Sequence, residues 1–225
     1  MISVIIPVLN EEKSLPDKLR QLAQQDGVFE TIAIDGGSTD DTLNIVHEHT
    51  WLRVLSSSRG RAPQMNAGAN VARGDWLLFL HADTILPDGA LGRLDSLTKD
   101  TSIKAGGFRH RFSANRAGLR FISWLHNSRC SITHVFYGDQ AFFIRRDLFN
   151  QLGGYPEDAE MEDIALGEAV RKETRPVLLN EYVVTDSRKF EQMGIWRSLS
   201  RIFVILMKYE LGLSVAKSPF FSNIR

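Results

Sequence analysis

Apolar positions in the first hundred residues fall into short, nearly unbroken runs separated by stretches of helical spacing. Ser3 to Leu9, Phe29 to Asp35, Trp51 to Ser56 and Asp75 to Leu80 read as strands, because such runs suit strands buried on both faces. After an N-E-E turn a helix is expected to about Gln25, and Arg61 to Ala72 reads as another, stopped at Gly74. Ser38-Thr39-Asp40-Asp41 supplies cap and acidic first-turn residues for a third helix. Strands alternating with helices predict an α/β fold around a mostly parallel sheet covered on both sides. Ligands of such sheets bind outside the carboxyl ends of the strands. Three of the four runs end there on polar residues: Asn10-Glu11, Asp35 and His81-Ala82-Asp83.

The second half is less regular. Lys104 to Ser113, Ala141 to Arg145 and Val177 to Thr185 read as strands, Glu160 to Lys172 as an amphipathic helix, and about Gln192 to Leu211 as a late helix. Met161, Ile164, Ala165, Glu168 and Ala169 share a face of the Glu160–Lys172 helix at helical spacing, which assigns that face to the core. No repeat and no Pro-, Gly- or Ser-rich linker divides the chain, so a single domain over 1–225 is expected. Its length of 225 residues and 24% charged content favour a folded chain over a disordered one. One cysteine, Cys130, excludes an intramolecular disulfide and an all-cysteine zinc site. No run reaches the ~18 uncharged apolar residues of a membrane span. The opening MISVIIPVL has neither a basic leader nor a cleavage site, so a cytoplasmic protein is expected.

Charge changes the picture only once the chain is divided. Overall, 27 Lys and Arg balance 27 Asp and Glu, which argues against a general polyanion binder. Residues 1–100 carry 9 basic and 14 acidic groups, 101–138 carry 6 and none, 139–181 carry 5 and 10, and 182–225 carry 7 and 3. In 101–138 the basic residues Lys104, Arg109, Arg111, Arg116, Arg120 and Arg129 are interleaved with Phe121, Trp124 and Leu125. This is either a platform for an anionic or lipid-linked acceptor touching an anionic membrane, or a solvated helix whose aromatics pack inward. Trp196, Leu199, Ile202, Phe203 and Leu206 likewise read as a core-packing or dimer-forming helix, or as a membrane anchor.

Four clusters carry candidate chemistry. Asp35-Gly36-Gly37-Ser38 ends a strand on a carboxylate and a tight turn, suited to a nucleoside or simply to capping the next helix. Asp83 closes a buried strand, where a divalent cation sharing phosphate oxygens would offset its burial, or where it caps a turn. Met161-Glu162-Asp163 places carboxylates in a helix's first turn, a position the dipole favours in any case. Ser58-Arg59-Gly60-Arg61, running on through Gln64-Met65-Asn66, sets arginines at a helix start, where a diphosphate or only solvent would meet them.

In order, S-V-I-I-P-V-L-N-E-E, I-D-G-G-S-T-D-D-T, N-A-G-A-N-V-A-R-G-D, H-A-D and M-E-D resemble the family 2 glycosyltransferases over about residues 2 to 170. S-R-G-R-A-P-Q-M-N-A-G-A, L-L-F-L-H-A-D-T, Y-G-D-Q-A-F-F-I-R-R and S-R-K-F-E look like a bacterial subgroup named for arsenosugar biosynthesis. The resemblance implies a GT-A fold, a single Rossmann-like nucleotide-diphospho-sugar transferase domain. Residues 1–100 would then form the nucleotide-binding half, 101–190 the acceptor-binding half and 191–225 a C-terminal helical segment. It implies an inverting transferase that moves one sugar from a nucleotide-diphosphate sugar to a small-molecule or lipid-linked hydroxyl, assisted by Mg²⁺ or Mn²⁺. Asp163, with Glu162, would act as catalytic base, and Asp83 would bind the metal. Pro7, Leu9, Glu11, Asp35, Arg61, Asn66 and Arg188 would contact the donor, and Gly138, Asp139 and Gln140 would line the sugar or acceptor region. No nucleic acid is implied.

Two positions depart from the family pattern. Gly36 stands where the D-D-G-S turn has its second aspartate, and His81 stands for the first aspartate of D-x-D. The Q-x-x-R-W pattern of processive synthases is missing, which points to single-sugar transfer. The departures leave open a catalytically silent sugar-nucleotide-binding module. A sugar nucleotidyltransferase shares the α/β sheet and metal, but its glycine-rich N-terminal loop is replaced here by P-V-L-N-E-E.

Overall fold

The computed structural model describes residues 1–159, 161–210 and 213. The chain runs β1 (Ile2–Val8), α1 (Leu15–Leu22), β2 (Phe29–Asp35), α2 (Thr42–His47), β3 (Leu52–Ser56), α3 (Arg61–Val71), β4 (Trp76–Phe79), β5 (Thr84–Ile85) and α4 (Ala90–Leu97). It continues through β6 (Ala105–Phe112), α5 (Ala117–Thr133), a 3-10 turn at Gly138–Gln140, β7 (Phe143–Arg145), α6 (Arg146–Gln151), α7 (Glu162–Glu173), β8 (Val177–Thr185), α8 (Arg188–Met193) and α9 (Ile195–Glu210).

Eight strands form one sheet in the order β3-β2-β1-β4-β7-β6-β8-β5. The strands β3, β2, β1 and β4 pair in parallel, as the continuous apolar runs predict. The insertion of β7 is antiparallel to both β4 and β6, and β5 is antiparallel to β8. Two antiparallel steps through β7 leave β6 running in the same sense as β4, and β8 is parallel to β6. The sheet therefore delivers the carboxyl ends of β1, β2, β4, β6 and β8 to one edge.

Alternate side chains of β1 feed opposite layers. Ile2, Val4, Ile6 and Val8 pack with Leu15, Leu19 and Leu22 of α1 and Leu91 and Leu94 of α4. Ile5 joins Met65 and Ala69 of α3, Leu148 and Phe149 of α6, and Leu166 and Val170 of α7. A third cluster joins Phe112, Leu119 and Ile122, with Phe190 and Leu199 against it.

The β1–β4 register stops at Ile5–Phe79, and Pro7, which has no N–H to extend a ladder, follows where the two strands part. A cleft opens at that point. Two expectations need correction. Ile164 is buried as expected but Glu168 is exposed, and the buried side of α7 also carries Glu162, Leu166, Gly167 and Val170. The late helix is broken at Gly194 (φ +84°), and Leu211 and Glu160 lie outside the described residues. In α9, Leu199 packs inward while Trp196 is exposed. The side chains of Ile202, Phe203 and Leu206 lie outside the described residues.

Candidate active site

The cleft between β1 and β4 is the point where the strand order reverses, the usual binding position in open α/β sheets. Its cavity of about 280 Å³ is lined by Pro7, Leu9 and Glu11 after β1, Arg59, Gly60 and Arg61 before α3, and His81 and Asp83 after β4. Gly60 has φ +135°, a conformation that suits glycine and lets the chain fold back so that Arg59 and Arg61 flank one mouth. The floor is fixed by Gln64, whose buried amide donates to the Val8 carbonyl (2.9 Å) and the Ile34 carbonyl (2.7 Å).

Under the Asp83 loop lies Lys18, on the buried face of α1 with Leu15, Leu19 and Leu22. Its ammonium donates to the carbonyls of His81 and Thr84. Burial lowers its pKa to about 7 against the pull of the Asp83 and Glu11 carboxylates. Lys18 therefore ties down the backbone on both sides of Asp83. The residue is absent from the sequence-derived candidates, although a lysine in the apolar stripe of an amphipathic helix is a legible signal.

Asp163 lies in the first turn of α7, where its Oδ2 accepts the N–H of Gly138 (3.0 Å). Burial, reinforced by the neighbouring Glu162 carboxylate, pushes the Asp163 carboxyl well above the ordinary carboxylate range, while Arg61 pulls the other way. Arg61 thus joins the cleft electrostatically to Asp163. Gly138 also backs the His81 ring so closely that a Cβ on it would lie 2.2 Å from Nε2. His81 Nε2 is buried without a hydrogen-bond partner among the described residues, and burial together with Arg61 holds the imidazole neutral, well below its ordinary pKa.

The rest of the Gly138–Gln140 turn meets other groups, although the Asp139 charge still acts on Asp163. Asp139 lies against His126 (Nε2–Oδ1 3.3 Å) and His110 (Nε2–Oδ2 3.8 Å). Burial opposes its ionisation, yet those imidazoles hold the Asp139 carboxyl well below the usual range. Gln140 is buried and donates to the Phe108 carbonyl.

Pro7, Leu9, Glu11, Arg61 and Asp83 therefore converge on the cleft, with Gly138, Glu162 and Asp163 beside it. Three other candidates are held by partners of their own. The Asp35 carboxylate is buried and accepts the N–H groups of Gly37 and Ser38, closing its own turn. Both ends of the Asn66 amide bond the Tyr155 backbone. Arg188 pairs with Asp186, whose N–H donates to the Asp83 carbonyl, and the Glu11 carboxylate acts on its guanidinium, so it stands beside the cleft.

A divalent cation needs more than Asp83 alone, and no group of three His, Cys, Asp or Glu side chains converges among the described residues. The donor set still fits Mg²⁺ or Mn²⁺ shared with a diphosphate, since such ions use one or two carboxylates plus substrate oxygens. The orphaned His81 nitrogen faces Gly138 and is not counted as a ligand.

Among solved structures, S. aureus TarS 1-349 superposes with TM-score 0.69 at 22% identity, covering 83% of this chain and 60% of that one. The mannosyltransferase PcManGT from Pyrobaculum calidifontis, in complex with GDP-Man and Mn²⁺, gives TM-score 0.64 at 23% identity, covering 81% and 56%. The fold is therefore α/β with a mostly parallel sheet of the GT-A kind. The PGL/p-HBAD biosynthesis glycosyltransferase of Mycobacterium tuberculosis is 34% identical over 173 residues, 69% of this chain and 63% of that protein. The undecaprenyl-phosphate 4-deoxy-4-formamido-L-arabinose transferase of Proteus mirabilis is 35% identical over 107 residues, 41% of this chain and 32% of that protein. The chain thus spans less than two thirds of the length of these curated relatives. Residues 3–153 match the profile described as glycosyl transferase family 2, and with these relatives the chain belongs to that family of glycosyltransferases.

Proposed function

We propose that the chain moves one sugar from a nucleotide-diphosphate sugar to an acceptor hydroxyl by a single displacement. The observation that carries this reading is the pairing of two arginines and a carboxylate around one cleft with a second, proton-hungry carboxylate beside it. The diphosphate sits between Arg59, Arg61 and Asp83, and the nucleoside lies along Pro7, Leu9 and Glu11. Asp35 acts from behind, by fixing the turn after β2.

The acceptor oxygen bonds to the anomeric carbon from the side opposite the diphosphate, and its proton passes to Asp163. The bond from that carbon to the diphosphate oxygen breaks as the new one forms, which inverts the anomeric centre. The transition state has the oxocarbenium character of glycosyl transfer generally. Charge gathering on the leaving diphosphate is met by Arg59 and Arg61, held by the Gly60 turn before reaction begins. Asp83 would hold Mg²⁺ or Mn²⁺, and such an ion would supply further neutralisation of that charge. Gly138 N–H orients Asp163, and Glu162 keeps its proton affinity high.

Support comes from outside the chain as well: solved relatives of the fold hold UDP, or GDP-Man with Mn²⁺. The test is calorimetric binding of UDP, GDP, dTDP and CDP with and without Mn²⁺, then transfer assays with sugars of the preferred nucleotide. Binding of none of them would overturn the reading; binding without turnover would favour the silent module.

A further inference from the structure

We propose that the face formed by α5 and α9 docks on an anionic membrane surface and turns the active-site edge of the sheet toward an acceptor carried there. The docking stands by itself; the acceptor clause rests on the transfer reading.

Helix α5 leaves Phe121, Trp124, Leu125 and Ile132 exposed, Trp124 by 61% and Ile132 by 80%. Offsets of three, four and eleven residues put all four on one stripe of the helix. The Phe121 and Trp124 rings stack on each other, 5.9 Å apart, rather than on the core. Helix α9 packs beside α5 through Leu199 and exposes Trp196, Val204 and Met207. Two neighbouring helices thus each present aromatic and aliphatic side chains to solvent, whereas isolated exposed apolar residues would need no explanation.

The charge beside this stripe has one sign. A groove of about 640 Å³ between the β6 edge and α5 is lined by Arg109, Arg111 and Arg120, with Trp124 shared between groove and stripe. None of these three arginines forms an ion pair among the described residues; Arg116 alone of the region reaches an acid, Glu191. Residues 101–138 contain no acidic side chain, and Arg197, Arg201 and Lys208 continue the basic character along α9. Apolar stripe, interfacial tryptophans and flanking cations are the composition of a helix lying in the plane of an anionic bilayer. No described helix is long and apolar enough to cross one. The groove also leads inward: His110 in its wall lies 3.8 Å from Asp139, whose neighbour Gly138 holds Asp163.

Flotation of the purified full chain tests this, using vesicles of phosphatidylcholine alone and of phosphatidylcholine with phosphatidylglycerol. The wild type is expected to float with the anionic vesicles at low salt and to be released at high salt. Phe121→Ser/Trp124→Ser should abolish flotation, and Ile132→Ser, a milder change at the far end of the stripe, should weaken it. Arg120→Gln should lower partitioning about fivefold, the effect of one basic residue near such a surface. Circular dichroism melts establish that each variant is folded. A wild type that stays with the unfloated protein, or folded variants that float as it does, would overturn the proposal. So would a dimer in light scattering that Trp124→Ser dissolves without any vesicle capture, which would assign the face to a second copy. Asp163→Asn should float normally; if it also transfers normally, only the catalytic reading fails.

Discussion

Asp163 is held in place by one backbone donor and is kept proton-hungry by burial and by Glu162. An ionised carboxylate there is unfavourable to the fold and useful to the reaction, which ties two measurements to one side chain. With its folded pKa above the unfolded one, ionisation destabilises the protein fully above the folded pKa, and the penalty fades as pH falls toward the ordinary carboxylate value. Asp163→Asn is therefore expected to abolish transfer, to leave nucleotide binding nearly intact, and to raise Tm at alkaline pH by about 2–4 °C, the shift of one kcal/mol in a chain this long. That gain should shrink on acidification, and wild-type kcat should fall on the same side, with a midpoint above the usual carboxylate range. A variant no more stable at pH 8 than the wild type would refute the strained-carboxylate account. Gly138 is the second half of this contact, and Gly138→Ala would drive a methyl into the His81 ring. Loss of about 1–3 kcal/mol of stability is expected from such overpacking, read by urea denaturation, together with loss of transfer. Asp163, Gly138 and Asp83 are each legible in the sequence as separate motifs. Their meeting is not, because a contact between a helix N-terminus and a turn 25 residues earlier follows from the sheet order and has no local signature. Lys18 escapes for another reason: a charge in an apolar stripe is easily read as a helix edge.

At the scale of elements, periodicity works where strands are fully buried. The runs ending at Leu9, Asp35, Ser56 and Leu80 match β1, β2, β3 and β4 within one or two residues, and their parallel pairing follows from burial on both faces. The same reasoning cannot find β5, whose two residues hold no period, or the antiparallel sense of β7, which depends on where α5 returns the chain. Nor are α4 and α6 among the elements that the pattern predicts. The junction of β2 and α3 is where the structure explains a departure from the family pattern. A Cβ on Gly36 would lie 2.9 Å from Cδ of Gln64, the residue that bridges Val8 and Ile34. The space of a second aspartate side chain is filled by that glutamine, so the two positions are coupled. Gly36→Asp alone should cost about 1–3 kcal/mol. In a Gln64→Ala background the same change should cost less, with a coupling energy on the order of 0.5–3 kcal/mol in a double-mutant cycle. Additive effects would mean that the contact is not what excludes a side chain from position 36.

For the whole molecule, zero net charge is the sum of segregated parts, and the segregation follows the sheet. The acidic first hundred residues supply Asp83 and Glu11 to the cleft, and the acid-free 101–138 segment supplies the arginines of the α5 groove. A cation and a nucleoside diphosphate should therefore bind as a unit, because Asp83 alone brings too little charge to hold the ion and Arg59 and Arg61 alone leave a diphosphate only partly neutralised. Thermal stability reports this directly, since a ligand that binds only the folded state stabilises it by RT ln(1 + [L]/Kd). At a hundredfold excess over Kd this is about 2.7 kcal/mol, or a rise of about 5–10 °C for a chain of this size. Mn²⁺ alone should leave Tm nearly unchanged. The preferred nucleoside diphosphate should raise it modestly, and the two together should raise it by more than the sum. Asp83→Ala should erase that excess while keeping the shift from the nucleotide alone. A large shift from Mn²⁺ alone would mean that the cation has protein ligands beyond Asp83, with His81 as the first to substitute. Equal synergy in Asp83→Ala would remove Asp83 from the metal and leave the arginines and Lys18 as the charges that organise the cleft.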